Sequence, residues 1–418
     1  MNYVYSKVSS DLKFYGNTNP ISLVEAYGSP LYVYNENIIR ERCRELKNLV
    51  DYKNFYVNYS PKANSNLEII KIVKDEGFWT DAMSPGEIYV NLKAGFRPGQ
   101  ILYISNNVSD DEYRYAIGEG VKISVDSLSQ LERYGRLNPG GKVTIRINPG
   151  VGAGHHKKVV TGGKKTKFGI EIRFLDQVRS IAKKHSLKIT GINQHIGSLF
   201  MDGDSFIESA DTILQIAKEF DDLEFVDLGG GFGVPYHKQE NEPRLDLKSL
   251  GVKLTEIITG WIKSYGKEII FKIEPGRYIV AEGAILLGTV HAVKMNYDIK
   301  YVGTDLGFNV LIRPVMYDSH HDIEIYRRTD KVSARNEQVR IVGNICETGD
   351  IIAKDRILPE IFEEDILGVL DAGAYGYVMS SNYNNRLRPA EVLIDRNGNH
   401  RLIRKRETLE DLVRGFEL

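Results

Sequence analysis

The sequence contains very little cysteine, with only Cys43 and Cys346 in 418 residues. Two thiols exclude a secreted scaffold held by disulfides and make a reducing cytoplasm the expected compartment. An excess of charge of one sign is also absent, because the formal net charge is -1 at pH 7. A nucleic acid or an anionic membrane surface is therefore not expected as a partner. No apolar run is long enough to span a bilayer, and residues 1–13 lack the apolar core of a secretory signal.

A repeated alternation of strands and helices occupies the first two thirds of the chain. With 418 residues the chain exceeds one ordinary core, so two domains are expected. Eight short apolar segments, separated mostly by amphipathic helical patterns, predict strands. Eight such units favour an α/β fold with a closed (β/α)8 TIM-type barrel, and an open doubly wound sheet is the alternative. The predicted strands are Phe55–Tyr59, Phe78–Met83, Ile101–Ser105, Lys122–Val125, Lys142–Ile147, Ile189–His195, Glu224–Leu228 and Ile269–Ile273.

The pattern changes after Glu274, where further strand-like segments follow with few helices between them. This change predicts a C-terminal β-rich domain beside the barrel. We predict a barrel over residues 36–282 and a β-rich domain formed by residues 1–35 together with 283–418, although residues 1–30 show no strong periodicity. Residues 150–168 are rich in glycine and lysine, and the length of this connection predicts a functional loop or lid.

Lys62 directly follows the first predicted barrel strand. The apolar segment Phe55–Val57 precedes it, and an apolar helical pattern begins at Leu67. Lys62 is therefore predicted at the carboxyl end of a strand, where barrels carry their active sites. A partly desolvated lysine at this place can act as a nucleophile or form a Schiff base. Taken alone, a solvated surface lysine is the alternative interpretation.

Other chemically active groups follow the remaining barrel strands in the same way. Because the carboxyl ends of all eight strands meet on one face, these groups are predicted to converge on one site. The order of the strands alone brings these groups together. The groups are Lys62, Asp81, Arg146, His195, the run Gly229-Gly230-Gly231, and Glu274.

The glycine run after the seventh strand predicts a phosphate site. Three glycines allow backbone N–H groups to approach an anion closely, and barrels often bind phosphate after their seventh and eighth strands. Ser198 and Arg277 are additional donors, whereas a tight turn without a ligand is the alternative. A Schiff-base lysine beside a phosphate site suggests pyridoxal phosphate. Glu274 would then keep the pyridine nitrogen protonated, and His195 would stack on the ring.

A second group of active residues lies in the predicted β-rich domain. Cys346 could donate a proton and Glu347 could bind a substrate amine, although free cysteines are often simply buried. Arg313 and Tyr317 suit a carboxylate, and Tyr375 lies in a glycine-rich turn. The histidine pairs 155–156 and 320–321 lack the spacing of metal ligands, so no metal is predicted.

Several motifs in the same order along the chain resemble the pyridoxal-phosphate decarboxylases with an alanine-racemase-like barrel, and among them the diaminopimelate decarboxylase family. The resemblance extends from about residue 30 to the C-terminus. Its motifs are Lys62-Ala63-Asn64, Arg146-Ile147-Asn148-Pro149, Thr161-Gly162, Lys167-Phe168-Gly169-Ile170, His195-Ile196-Gly197-Ser198, Gly229-Gly230-Gly231, Glu274-Pro275-Gly276-Arg277, Arg313-Pro314, Cys346-Glu347-Thr348-Gly349-Asp350, Ala372-Gly373-Ala374-Tyr375-Gly376 and Arg388-Pro389-Ala390-Glu391-Val392-Leu393.

The resemblance implies an activity and a set of residue roles. It implies decarboxylation of meso-diaminopimelate to L-lysine, with a Schiff base on Lys62 and with His195 stacked on the pyridine ring. It implies that Cys346 returns a proton after carbon dioxide leaves, and that Cys346 and Glu347 reach the site of a partner subunit, so that a homodimer is expected. The implied cofactor-binding residues are Lys62, Asp81, His195, Ser198, Gly230, Gly231, Glu274, Gly276, Arg277 and Tyr375. The implied substrate-binding residues are Arg277, Arg313, Tyr317, Glu347 and Tyr375.

The chain departs from the family pattern at a few places near the expected substrate. Ser60-Pro61 precedes the lysine, Leu199 follows Ser198, and Gly154-His155-His156 occupies the predicted lid. The main alternative is therefore a decarboxylase of the same fold that acts on ornithine, arginine, lysine, or a carboxylated polyamine or siderophore precursor. An amino-acid racemase and a pyridoxal-phosphate carrier without turnover are further alternatives, which Glu274 and Cys346 respectively disfavour.

Overall fold

The structure is a computed structural model that describes residues 2–104, 106–150, 166–327 and 335–417. The chain forms two compact units, which are described separately here. One comprises Arg40–Val234 and Arg244–Tyr278, and the other comprises Met1–Ile39, Pro235–Pro243 and Ile279–Leu418. Most of the predicted lid, including the histidine pair 155–156, lies outside the described residues. The predicted boundaries at residues 36 and 282 stay a prediction.

The first unit is a barrel of eight parallel strands, which confirms the predicted fold class. Neighbouring strands pair in parallel around the ring, and the fourth and fifth strands close it with Val125 opposite Ile145. Closure excludes the open doubly wound alternative. The strands, numbered one to eight here, are Phe55–Tyr59, Trp79–Ala82, Ile101–Ile104, Lys122–Val125, Lys142–Asn148, Lys188–Asn193, Phe225–Asp227 and Ile270–Ile273.

Helices follow the barrel strands because apolar residues recur at helical spacing between clear start and stop signals. In the helix Leu247–Tyr265, the Asp246 carboxylate accepts the backbone N–H of Ser249, and Gly266 ends the helix with φ 73°. Its buried face holds residues spaced three or four apart, including Leu254 and Ile258. The other barrel helices are Glu36–Lys47, Leu67–Asp75, Pro85–Lys93, Asp110–Gly118, Leu128–Leu137, Leu175–Lys184 and Asp204–Ala217.

The second unit is a mixed sheet, as the predicted β-rich domain requires. Its strands are Asn2–Tyr5, Leu31–Asn35, Ala284–Asn296, Ile299–Thr304, Ile323–Arg327, Asn336–Val342, Ile351–Pro359, Ile366–Val369, Ala390–Ile394 and His400–Arg404. The strand Leu31–Asn35 lies between Ala284–Asn296 and Ala390–Ile394, so the N-terminal and C-terminal segments share one sheet. Short helices span Lys7–Asp11, Pro20–Tyr27, Arg313–Tyr317 and Leu409–Val413.

The segment Pro235–Pro243 interrupts the barrel sequence but belongs to the β-rich unit. Within it, the buried ammonium of Lys238 lies 2.5 Å from Asp371 Oδ1 and 3.0 Å from Glu282 Oε1. Both carboxylates are buried, and their charges raise the pKa of Lys238 against the opposing effect of burial. This buried ion triad joins the inserted segment to the β-rich unit. Among the described residues, no helix is both long enough and apolar enough to cross a bilayer.

Candidate active site

Lys62 lies on the turn after the first barrel strand, and Ser60 fixes that turn. The backbone N–H of Ser60 donates to Pro275 O at 3.2 Å, and that of Ala63 donates to Ser60 O at 3.0 Å. The Ser60 hydroxyl donates to Asp81 Oδ2 at 2.5 Å. Ser60 therefore connects the ends of the first, second and eighth strands. This role gives a physical reason for Ser60-Pro61, since proline holds the preceding residue in an extended conformation.

Asp81 is a buried carboxyl group beside Lys62. Burial raises the pKa of Asp81 to about 7, although the positive charge of Lys62 and the hydrogen bond from Ser60 oppose that rise. The same Lys62 charge contributes to the lowered pKa of His195 and opposes the rise in the pKa of Glu274. Lys62 thus interacts electrostatically with three of the predicted site residues, as convergence on one barrel face requires.

His195 follows the sixth strand and is held by the glycine run. Its Nδ1 accepts the backbone N–H of Gly230 at 3.1 Å, so the proton of the neutral ring is on Nε2. Burial, Lys62 and Arg146 lower the pKa of His195 well below its usual value, and the ring is therefore neutral at pH 7. The structure thus presents a fixed, uncharged imidazole.

The glycine run needs residues without a side chain. A Cβ atom at Gly230 would lie 2.0 Å from Glu274 O, and one at Gly231 would lie 2.5 Å from Gly197 O. Gly231 also has φ 114°, which favours glycine. The glycines are therefore required because the run packs directly against the backbone after the sixth and eighth strands.

Arg277 and Ser198 lie together near this run. The guanidinium of Arg277 donates to Ser198 Oγ from Nε at 3.3 Å and from Nη2 at 3.0 Å. Arg277 is buried and follows Gly276, where a Cβ atom would lie 2.9 Å from Ala63 Cβ. A buried cation beside a hydroxyl group is suited to a phosphate.

Glu274 follows the eighth strand as a buried carboxyl group. Its Oε1 has no hydrogen-bond partner among the described residues. Burial, together with the negative charges of Asp227 and Asp81, raises the pKa of Glu274 well above its usual value. A cationic N–H group bound at this carboxylate would satisfy the oxygen and favour its ionised form.

Arg313, a predicted site residue of the β-rich unit, is held by two neighbouring side chains. It is buried, and its Nη1 donates to His321 Nε2 at 2.7 Å. Because arginine only donates, His321 has its proton on Nδ1 and donates it to Leu370 O at 2.7 Å. The ring of Tyr236 lies 4.5 Å from the Arg313 guanidinium carbon. His321 was not expected from the sequence, where it appeared only as half of a histidine pair.

Cys346 and Glu347 lie on an exposed turn of the same unit. The backbone N–H of Cys346 donates to Asn384 Oδ1 at 2.8 Å, and the Tyr383 hydroxyl donates to Glu347 Oε1 at 2.5 Å. The carboxylate of Asp350 accepts the backbone N–H of Ile345 at 2.8 Å and so shapes the turn. Cys346 is exposed, so the alternative of a buried apolar cysteine is wrong for this residue.

The structure therefore places the predicted site residues in two groups. The barrel brings Lys62, Asp81, His195, Ser198, Gly230, Gly231, Glu274, Gly276 and Arg277 to the carboxyl ends of its strands. The β-rich unit contains Arg313, Tyr317, Cys346, Glu347 and Tyr375. Within the described ranges, no group of three or more histidine, cysteine, aspartate or glutamate residues could bind a metal ion.

The barrel group fits pyridoxal phosphate. Glu274 supplies the buried, unpaired oxygen that a protonated ring nitrogen needs. Ser198 and Arg277, near the glycine run, supply the hydroxyl and the cation that a phosphate needs. Lys62 supplies the amine, and its charge acts on the pKa values of Asp81, His195 and Glu274.

Comparisons with known proteins agree with this fit. The family model described as "Pyridoxal-dependent decarboxylase, pyridoxal binding domain" matches residues 36–281. A relative from Methanothermobacter thermautotrophicus, named diaminopimelate decarboxylase, is 44% identical over 409 residues, which cover 96% of this chain and 94% of the relative.

Solved structures match over nearly the whole chain as well. Diaminopimelate decarboxylase from Helicobacter pylori complexed with L-lysine has a TM-score of 0.87 and 31% identity, covering 95% of this chain and 98% of that one. The enzyme from M. jannaschii in co-complex with L-lysine has a TM-score of 0.84 and 32% identity, covering 96% and 95%. The chain therefore belongs to the pyridoxal-dependent decarboxylases, within the diaminopimelate decarboxylase family, and is a carboxy-lyase that uses pyridoxal phosphate.

Proposed function

We propose that this enzyme removes carbon dioxide from meso-diaminopimelate to give L-lysine, the last step of lysine biosynthesis. The observation that carries the proposal is the cluster of Lys62, Glu274 and the glycine run in a chain 44% identical to a diaminopimelate decarboxylase. The names of the relatives support the substrate, and their decarboxylase activity argues against the racemase and carrier alternatives. A cytoplasmic location stays a prediction from cysteine content.

The barrel residues would hold the cofactor in defined ways. When bound, pyridoxal phosphate supplies an electron sink for the pair of electrons that carbon dioxide leaves behind. We propose that Lys62 attaches the cofactor covalently, that Glu274 keeps the ring nitrogen protonated, and that neutral His195 packs on the ring face. Asp81 orients the lysine turn through its hydrogen bond from Ser60. The phosphate ligands we propose are Ser198, Gly231, Gly276, Arg277 and Tyr375, while Gly230 supports the cofactor by donating its backbone N–H to His195 Nδ1.

Cys346 is proposed to complete the reaction. The Cα–carboxyl bond breaks, carbon dioxide leaves without its bonding electrons, and the Cys346 thiol donates a proton to Cα. The exposure of Cys346 is consistent with a residue that serves a partner subunit. We therefore propose a homodimer in which Cys346 and Glu347 reach the barrel of the other copy.

Arg313 distinguishes the proposed substrate from simpler basic amino acids. Its guanidinium is oriented by His321 and by the ring of Tyr236, so its position is set before substrate binds. We propose that Arg313, with Arg277 and Tyr317, binds the distal carboxylate of meso-diaminopimelate, while Glu347 binds the distal amine. Ornithine, arginine and lysine have no distal carboxylate to offer to Arg313.

A substrate panel tests this assignment. We expect kcat/KM for carbon dioxide release to be higher with meso-diaminopimelate than with lysine, ornithine or arginine by on the order of 10³-fold or more, because the analogues leave a polar site unpaired. Arg313→Met should reduce this preference. Arg340→Met, which removes an arginine paired with Asp355 in the same unit, is the matched control and should retain it. Equal or reversed rates would favour the alternative decarboxylase.

Mixing inactive variants tests whether two subunits share each site. Lys62→Ala and Cys346→Ala should each be nearly inactive, and equal mixing with subunit exchange should restore about a quarter of the wild-type activity, because half of the dimers then contain one intact site. A mixture of Lys62→Ala with Glu274→Ala is the control, since both residues come from one barrel. No recovery in the first mixture would show that Cys346 serves its own subunit.

A further inference from the structure

The barrel interior contains a lysine that neither the sequence analysis nor the proposed mechanism uses. Lys272 lies on the eighth strand, two residues before Glu274, and is 1% exposed. Its Nζ lies 4.0 Å from the ring centroid of Phe225 and 5.0 Å from that of Trp79. These rings belong to the seventh and second strands, so the ammonium points into the barrel. A buried cation is costly unless a negative group lies close to it.

Asp227 is the carboxyl group whose charge acts most strongly on Lys272. It lies opposite Lys272 on the neighbouring seventh strand and is completely buried. Burial lowers the pKa of Lys272 to about 7, and Asp227 opposes that change. Conversely, burial raises the pKa of Asp227, and Lys272 is the strongest influence that lowers it. The other charged groups that act on Lys272 are Lys122 and Glu274.

Asp227 in turn contacts the proposed cofactor site. Its Oδ1 accepts the backbone N–H of Gly229 at 3.0 Å, at the start of the glycine run. Its Oδ2 lies 3.5 Å from Asn58 Nδ2. The Glu274 side chain hydrogen-bonds to Asp227, and the Asp227 charge disfavours ionisation of Glu274. Lys272 therefore lies behind both the phosphate turn and the ring-nitrogen partner.

The three buried carboxyl groups Asp81, Asp227 and Glu274 require compensation. Two neighbouring carboxylates without a cation share one proton, and either of them can take it. If Asp227 took it, its hydrogen bond from Gly229 would weaken. If Glu274 took it, the ring nitrogen would lose its ionised partner. A buried cation at Lys272 allows both carboxylates to be charged when a cationic ring nitrogen is bound.

We propose that Lys272 is a positioning residue for the cofactor. The buried ammonium of Lys272 keeps Asp227 ionised. Asp227 then holds the glycine run, and Glu274 is left to pair with the ring nitrogen. The inference rests on the proposed roles of Glu274 and the glycine run. It extends them by assigning the charge that makes those roles compatible. Lys272 acts through Asp227 and does not itself contact the substrate.

Equilibrium binding of pyridoxal phosphate to the cofactor-free protein is the first measurement. We expect Lys272→Met to raise the dissociation constant by about 10- to 100-fold at about pH 6, where Lys272 with its pKa of about 7 is charged, because an uncompensated carboxylate shifts by one or more pKa units. Lys122→Met is the matched control. Lys122 Nζ also lies 5.0 Å from the Trp79 ring, but its charge lowers the pKa of Lys272, so its removal should not weaken cofactor binding. An unchanged constant for folded Lys272→Met would overturn the proposal.

A double-mutant cycle then separates a charge effect from packing. In an Asp227→Asn background, Lys272→Met should cause little further loss of cofactor affinity, because the group through which Lys272 acts is already neutral. Fully additive losses would show that Lys272 contributes only volume, and would overturn the proposal. The thermal unfolding of each cofactor-free variant shows whether it is folded.

The fluorescence of Trp79 supplies a measurement that needs neither the cofactor nor a foldable Lys272 variant. In a Trp261→Phe background, Trp79 is the remaining tryptophan, since the chain has two. We expect its emission to change with a midpoint near pH 7, and Asp227→Asn should lower that midpoint by removing a neighbouring negative charge. An unshifted midpoint would contradict the Lys272–Asp227 interaction. Failure of cofactor binding in the wild type, with the shift still present, would instead contradict the proposed function.

Discussion

Replacing Lys62 with alanine should remove the visible absorption of the protein after dialysis and should lower decarboxylation by on the order of 10⁴-fold or more, as when an enzyme loses its nucleophile. The physical reason is that the proposed covalent bond to Lys62 slows the loss of the cofactor during dialysis and presents it at a fixed position. Absorption spectra before and after dialysis, with carbon dioxide release, provide the measurement.

Lys71→Ala is the matched control for this experiment. Lys71 lies on the helix that follows the same turn, is exposed, and pairs with Glu68 at 2.7 Å. This variant should retain both colour and activity. If dialysed Lys62→Ala kept both its colour and its activity, Lys62 would not be the residue that attaches the cofactor.

Substitution of Glu274 by glutamine should separate cofactor binding from catalysis. Glutamine has nearly the same shape but cannot carry the negative charge that keeps a ring nitrogen protonated. We expect the protein to remain coloured while kcat falls on the order of 10²- to 10³-fold, the effect of losing one preorganised electrostatic group. Rapid-mixing absorption and steady-state rates would measure both quantities.

Glu268→Gln is the control for this charge removal. Glu268 precedes the same strand but is exposed and paired with Lys53 at 2.8 Å, so its loss should leave kcat unchanged. A Glu274→Gln variant with wild-type kcat would remove Glu274 from the proposed mechanism. A colourless Glu274→Gln variant would instead indicate that Glu274 acts only in cofactor binding.

The barrel was predictable because its strands are short apolar runs between helical patterns. Two predicted strands, Phe55–Tyr59 and Lys122–Val125, have the observed bounds. The strand predicted to end at Ser105 agrees through Ile104, since Ser105 lies outside the described residues, and the other five differ by one or two residues at one or both ends. The strand Ile323–Arg327 in the β-rich unit was not predicted. It buries Glu324, which accepts the backbone N–H of Ser9 at 3.0 Å, and Arg327, whose Nη2 lies 2.6 Å from Asp365 Oδ2. Both partners are distant in sequence. A local pattern cannot indicate such pairing.

The residues of the candidate site likewise divide into those that a local sequence pattern predicts and those that it does not. Residues such as Lys62 and Glu274 were predictable because the end of a barrel strand is a position that sequence alone locates. Ser60, Asp227 and His321 were not, because each acts through a hydrogen bond to a residue supplied by another element. Ser60 reaches Asp81 on the second strand, and His321 reaches both Arg313 and Leu370. The roles of supporting residues depend on folded neighbours, whereas the roles of strand-end residues depend on topology.

The buried ion triad of Lys238 determines how this chain can be divided into fragments. A fragment of residues 40–278 would contain Lys238 but lack Glu282 and Asp371, while the complementary pieces would contain two buried carboxylates without their cation. Losing one partner of a buried ion pair is strongly destabilising. Expression of the barrel alone would therefore require Lys238 to be neutralised or the segment Pro235–Pro243 to be replaced by a short linker. The boundaries of expressed fragments have to follow the ion pairs as well as the strand pattern.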